Sequence, residues 1–259
     1  MELEKYDIYI SDICFISSLP KEEQNMINRI IEDFRLKNKY TNYLEKNKLT
    51  VSELDLNTIT DYQNFISQSK DQIITENKAF IFHIDIHGNT KGLCLKNGDI
   101  ITWSKFYKDM SDLNKLSGFN QVINFATCYS FQFLEKNINW ESASPYQLCI
   151  YSKEEVKQQE IEDFYTTFYE EFIRTKDFNS AFSNATNDTK NLRIMSSIDL
   201  FEELYNSAVY TIIKEGKIPF YKDLNKHIKN KTTLNHQDIL KIPRLRQEKF
   251  QYRKKFLGF

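Results

Sequence analysis

Two residues able to do nucleophilic and acid–base chemistry stand at matching breaks in two apolar runs. The first run, Ala79 to Ile86, reads Ala-Phe-Ile-Phe-His-Ile-Asp-Ile and breaks at His87-Gly88-Asn89. The second, Gln121 to Thr127, reads Gln-Val-Ile-Asn-Phe-Ala-Thr and breaks at Cys128-Tyr129-Ser130. A thiolate is a strong nucleophile, and a neighbouring imidazole lowers the thiol pKa and later protonates a leaving amine. The chemistry expected is acyl transfer, with Cys128 attacking a peptide carbonyl and His87 as its acid–base partner. Gly88 is expected to offer a backbone N–H to the oxyanion, where a side chain would crowd the substrate carbonyl. Asp85, Asn89 and Trp103 are candidates for lining the pocket or orienting His87.

The elements that must position this pair are legible in the same runs. Both have strand length and β-branched or aromatic content, and neither alternates with polar residues, as in parallel strands buried on both faces. Sites in open parallel sheets form beyond the carboxyl ends of strands, so the histidine and the cysteine are expected to meet there. Glycine supports this placement. The chain has 6 glycines, and Gly88, Gly92, Gly98 and Gly118 all fall between His87 and Cys128. Where glycine is so scarce, a cluster marks backbone needing positive φ or close approach.

Other readings of these residues are plainer. A histidine can be a satisfied polar group at a strand end, and a cysteine a small core hydrophobe, as expected for Cys14 and Cys149. His83, Asp85 and His87 alternate on one strand and so share a face, a pattern that admits zinc. No fourth ligand is near in sequence, because His227 and His236 lie in a different region. His83 is therefore read first as a core or interface histidine, and no metal is expected.

Along the rest of the chain, a strand is predicted over 7–18 and an amphipathic helix from Lys21 to Phe34. A short strand falls near Leu49 to Leu54, and a helix capped by Thr60 or Asp61 runs to about Lys70. Asn97-Gly98 between two apolar runs predicts a hairpin, and Ser104 to Leu116 a helix closed by Gly118. One more strand is predicted over Tyr146 to Tyr151, then helices over Lys157 to Arg174 and Phe178 to Asn187. From Asn191 onward the reading is helical, over Leu200 to Lys214 and Tyr221 to Lys229. Strand, helix and strand in succession predict an α/β sheet.

Length and charge bound the function. A chain of 259 residues suits one large domain, or one domain with an appendage. The formal net charge of −1 gives no global argument for nucleic acid or a membrane surface. No apolar stretch of about twenty residues is present, and the acidic N-terminus lacks the basic start of a signal peptide. A cytoplasmic location is therefore expected, and the four cysteines are not expected to form a disulfide framework. The tail from Lys241, basic and aromatic, is read as a packing arm or solvated helix, ahead of a nucleic-acid or membrane contact. Trp103 and Trp140 flank the site in sequence.

The His87-Gly88 turn, the Gly92-Leu93 hairpin and Phe125-Ala126-Thr127-Cys128-Tyr129-Ser130 resemble the caspase-fold cysteine peptidases, most of all the bacterial caspase-like and CHAT-type enzymes. Glu155-Val156, Asp163-Phe164, Phe168-Tyr169 and Phe182 to Ala185 resemble that family's later strand and helices, so the likeness spans roughly residues 79 to 190. It implies a caspase–haemoglobinase fold, with a mostly parallel central sheet flanked by helices. His87 then matches the catalytic histidine and Cys128 the nucleophile. Histidine before cysteine, at close to the roughly 50-residue separation of caspases, is the reverse of the papain order. The resemblance further implies a protein or peptide substrate, no organic cofactor, a regulatory protein partner, and a place in bacterial death or antiviral defence. The eukaryotic signature Gln-Ala-Cys-Arg-Gly is absent, with Ala126 and Tyr129 in the Gln and Arg places, so cleavage after aspartate does not follow. The chain is thus read as a peptidase domain over 1–190 with a helical extension over 191–259 packed on it. The alternative is a non-catalytic caspase-like interaction module, or a metal-dependent hydrolase using His83, Asp85 and His87.

Overall fold

The structure, a computed structural model, describes residues 8–24, 28–33, 35–36, 49–135, 142–186, 191–214 and 243–258. Its centre is a six-stranded sheet in the order β2-β1-β3-β7-β8-β9. These strands are β1 (Asp12–Ser17), β2 (Thr50–Asp55), β3 (Phe80–Asp85), β7 (Val122–Phe125), β8 (Leu148–Ser152) and β9 (Leu192–Ser196). Every pairing in it is parallel except that of β8 with β9. Between β3 and β7 lies a small antiparallel sheet of β4 (His87–Gly88), β5 (Gly92–Cys94) and β6 (Ile100–Thr102).

The unbroken apolar runs become strands because helices cover both faces of the large sheet. All residues of β1, β3 and β7 are buried. Alternate residues serve opposite cores. Phe80, Phe82, Ile84, Ile123 and Phe125 join one cluster, with Tyr62 and Phe65 of α1 (Ile59–Glu76) and Phe106 and Met110 of α2 (Trp103–Leu116). Ile81, Val122, Leu148 and Ile150 join the other, with Phe164 and Phe168 of α4 (Gln158–Thr175) and Ala181 of α5 (Phe178–Ala185). A four-residue helix, α3 (Gln132–Glu135), puts Phe133 into the first core, 5.4 Å from Phe125 between ring centroids.

Several boundaries differ from the sequence reading. β1 begins at Asp12. Residues 21–24 form a turn, and helix is present over 28–33; Met26, Ile27 and Phe34 lie outside the described residues. Helix α1 starts one residue after Thr58, whose side chain accepts from the Asp61 N–H while Asp61 accepts in return, a capping box. It passes Lys70 because Ile73 continues its buried face, and it ends at Asn77 in the left-handed region. The predicted hairpin is present, with Gly98 at φ 94°.

The helical reading from Asn191 is corrected at β9. Its five residues pair antiparallel with β8 and run directly into α6 (Ser197–Lys214). A short half-exposed strand joined to a helix without a breaker has no period of its own to read. The segment from 191 therefore opens with an edge strand of the central sheet, beginning at Leu192. Helix α7 (Pro243–Leu257) returns to α6, where Phe256 packs on Phe201 and buried Lys249 pairs with Glu202. The basic aromatic tail is therefore a packing arm over these residues. The helix predicted over Tyr221 to Lys229 lies outside the described residues, as do His227, His236 and Trp140. Among the described residues no helix is long and apolar enough to cross a membrane.

Phe125 is fully buried among Trp103, Phe106 and Phe133. Phe125→Ala is expected to lower stability by about 3–5 kcal/mol, read as a lower urea midpoint.

Candidate active site

The parallel pairing of β3 with β7 sets Ile84 opposite Phe125, and both strands end on the same side of the sheet. Past these ends the two chains stay together. The Ala126 N–H and the Thr127 hydroxyl both donate to the Ile84 carbonyl, at 2.9 and 3.0 Å. Ile86 breaks β3, His87 and Gly88 turn into the small sheet, and Cys128 opens a turn ahead of α3. Ser152, at the end of β8, fastens that turn by donating its hydroxyl to the Thr127 carbonyl at 3.2 Å.

Gly88 is where the two loops touch. A Cβ there would lie 2.3 Å from the Cys128 carbonyl oxygen and 2.5 Å from Thr127 Cγ2. The glycine is therefore required by backbone packed on backbone, where the sequence reading assigned it to space for a substrate. Next to Cys128, Tyr129 has φ 55°, a left-handed conformation that side chains other than glycine adopt only when held. It is held by its N–H donating to the Glu154 carbonyl and its hydroxyl donating to Glu155, at 3.3 and 3.1 Å.

His87 and Cys128 line one cleft of about 130 Å³. Its walls are largely apolar, from Leu19, Ile86, Ala126, Val156 and Ile161, and its remaining polar lining is Glu23, Asp85, Thr127 and Gln158. His87 Nε2 lies 2.8 Å from Glu23 Oε2 in a solvent-exposed pair. Cys128 is partly exposed, with Sγ 3.8 Å from the Val156 carbonyl oxygen. Cys14 and Cys149 are buried in the core, as expected, and burial pushes both thiols up, Cys14 to about 11.

Asp85 lines this cleft, and the carboxylate on His87 is Glu23. Asp85 is 3% exposed, and its Oδ2 has no hydrogen-bond partner. Burial, with a smaller contribution from the Glu23 charge, pushes its carboxyl from 3.8 up to about 7. Asn89 and Trp103 do not line the cleft. The Asn89 side chain accepts from the N–H groups of Lys91 and Gly92, and the buried Trp103 indole donates to the Asn89 carbonyl at 2.8 Å. Both residues build the turn that carries the small sheet.

The zinc reading is corrected. His83 is fully buried between Phe15 and Tyr165, with Nδ1 3.0 Å from the Tyr169 hydroxyl, and burial lowers its pKa to about 3. It is a neutral core residue. Among the described residues no group of three His, Cys, Asp or Glu side chains is placed to hold a metal. Sequence reasoning missed Glu23, Val156 and Ile161. The signal for Glu23 was topological, since the loop after a central parallel strand must also reach the site rim.

Two outcomes are expected. Gly88→Ala should cost about 1–3 kcal/mol through overpacking, read by thermal unfolding, and should reduce iodoacetamide labelling of Cys128. Between the unfolded carboxyl pKa near 4 and the folded value of about 7, the native chain holds an Asp85 proton that the unfolded chain releases. Stability contributed at Asp85 therefore falls as pH rises through that window. Asp85→Asn should be more stable than the wild type at pH 8, with the difference shrinking toward pH 5, measured by urea titration at both.

No family model matches this chain, and no curated protein is similar to it, so its site is defined by these residues and their geometry.

Proposed function

We propose that the protein is a cysteine endopeptidase of the caspase-like, CHAT-like kind, with Cys128 as nucleophile and His87 as general acid–base. The observation that carries the reading is one cleft lined by both residues, beyond the ends of adjacent parallel strands whose loops are in backbone contact. A mostly parallel sheet flanked by helices is compatible with that fold. In this reading Glu23 accepts the Nε2 proton of His87, which leaves Nδ1 as the basic nitrogen for the thiol proton. The thiolate attacks the peptide carbonyl, and backbone N–H groups of Gly88 and Cys128 receive the oxyanion. His87 then passes the proton to the leaving amine. The thioester formed on Cys128 is released by water, with His87 as base. Residues 127–130 hold the nucleophile on a turn fastened to β8, which limits its motion during these steps. The substrate is a protein, and activity in a cytoplasmic setting requires restraint by a partner or a signal, in keeping with a defence or cell-death role.

Wild type and variants incubated with a proteome lysate, followed by mapping of new N-termini, test the reading. Cys128→Ala and His87→Ala should each lose cleavage by several orders of magnitude while keeping the wild-type unfolding midpoint. An exposed ion pair contributes about 1 kcal/mol at most. Glu23→Gln should therefore lower kcat only about fivefold, with KM unchanged. Cys128 should react with iodoacetamide faster than buried Cys14 and Cys149. Identical peptides from wild type and Cys128→Ala under every activating condition would assign the cleft to binding a partner, without catalysis.

A further inference from the structure

We propose that the outward face of helix α7 binds single-stranded nucleic acid, with Phe250 stacking on a base and Arg246 and Lys254 receiving phosphates on either side. No residue of α7 lines the cleft of His87 and Cys128, so the inference stands apart from the protease reading.

The helix divides its residues between two faces. Leu245, Phe256 and Leu257 are buried in the core, and Lys249 is spent on α6, where it pairs with Glu202 and donates to the Asn206 side chain at 3.2 Å. The exposed positions from Leu245 to Leu257 are Arg246, Gln247, Phe250, Gln251, Lys254 and Lys255, with no acid among them. Among the described residues, no ion pair takes up Arg246, Lys254 or Lys255. The whole chain carries a formal charge of −1, so the excess of cations here is a local concentration.

Order along the helix identifies the partner. Residues 246, 250 and 254 follow one another at i, i+4 spacing, so Phe250 stands about 6 Å along the axis from each cation. A lone exposed ring is ordinary on a protein surface. A ring that is 62% exposed, with a cation on either side of it, has the order of a single strand, in which bases alternate with phosphates. Gln247 and Gln251 flank the same ridge and offer amide groups to base edges. A membrane surface would need an apolar stripe on this face, and α7 has turned its other buried apolar residues inward. An acidic peptide would engage the cations and leave the ring without a task.

The test uses the full-length protein and fluorescein-labelled oligo-deoxythymidine and oligo-uridine, with binding read by anisotropy. Raising salt from 50 to 200 mM should weaken binding roughly twentyfold if three cations meet phosphates. Phe250→Ala and Phe250→Leu should each weaken it roughly tenfold and leave the salt slope unchanged, whereas Phe250→Tyr should retain it. Arg246→Gln combined with Lys254→Gln should lower the salt slope by about 1.4. All these side chains are exposed, so each variant should keep the wild-type unfolding midpoint, which is measured alongside. The proposal is overturned if neither oligonucleotide binds at 50 mM salt, or if Phe250→Leu binds as the wild type does. Binding that survives loss of Arg246 and Lys254 with an unchanged salt slope also overturns it. Phosphatidylserine vesicles or polyglutamate bound more tightly than either oligonucleotide, with the same residues required, would assign the face to a membrane or to an acidic protein instead.

Discussion

The pairing of β3 with β7 is the constraint on which the rest of the structure depends. Both strands are fully buried on both faces, so neither can slip by one residue without turning its whole apolar set to the wrong core. That fixed register puts the two strand ends level and aims two loops at the same space. The loops then close on each other through backbone at Gly88 and Cys128 and through the shared Ile84 carbonyl. Polar contacts of this kind would be weak in water. Here they sit on a core that has already paid the entropy of ordering both strands.

The same geometry explains the contrast between the acids of the site. Asp85 is the last residue of β3 and inherits the burial of its strand. Glu23 sits in a turn after β1, where solvent reaches it and His87 is within 2.8 Å. Burial raises the Asp85 carboxyl, while Glu23 stays partly exposed and bonded to His87, so two similar side chains lining one cleft have different tasks available to them. His83, two residues before Asp85 and on the same face, shows the limit of this gradient. Deeper in the sheet the side chain is fully buried, and the imidazole becomes a packing group among aromatic rings.

Much of this was legible because it was written in period and punctuation. The runs at 79–86 and 121–127, the hairpin at Asn97-Gly98 and the breaks at His87 and Cys128 each have a local pattern with a physical cause. What was not legible depends on contact across the chain. Glu23 reaches His87 across a separation of 64 residues, and nothing beside it in sequence marks it. The residue type of Gly88 stands out in sequence, yet the contact that excludes a side chain there is with the Cys128 carbonyl and Thr127, which only the fold brings close. Asn89 and Trp103 lie near the histidine in sequence, yet their hydrogen bonds place them in the turn that carries the small sheet. Strand β9 hid because a five-residue edge strand fused to a helix carries too little alternation to stand apart.

Helix α7 has a consequence for how the molecule comes to exist. Its residues Leu245, Phe256 and Leu257 complete the core that α6 enters through Leu200 and Phe201, and its Phe256 carbonyl accepts from the Ser144 N–H at 2.9 Å. The side of the sheet covered by α1 and α2 is therefore sealed by residues made more than a hundred positions after the cysteine. A chain still emerging from the ribosome carries Cys128 long before the apolar face behind it is closed. Contacts of such long sequence separation form slowly and leave aggregation-prone surface open meanwhile. For this protein, the core that supports Cys128 closes only after α7 has been made.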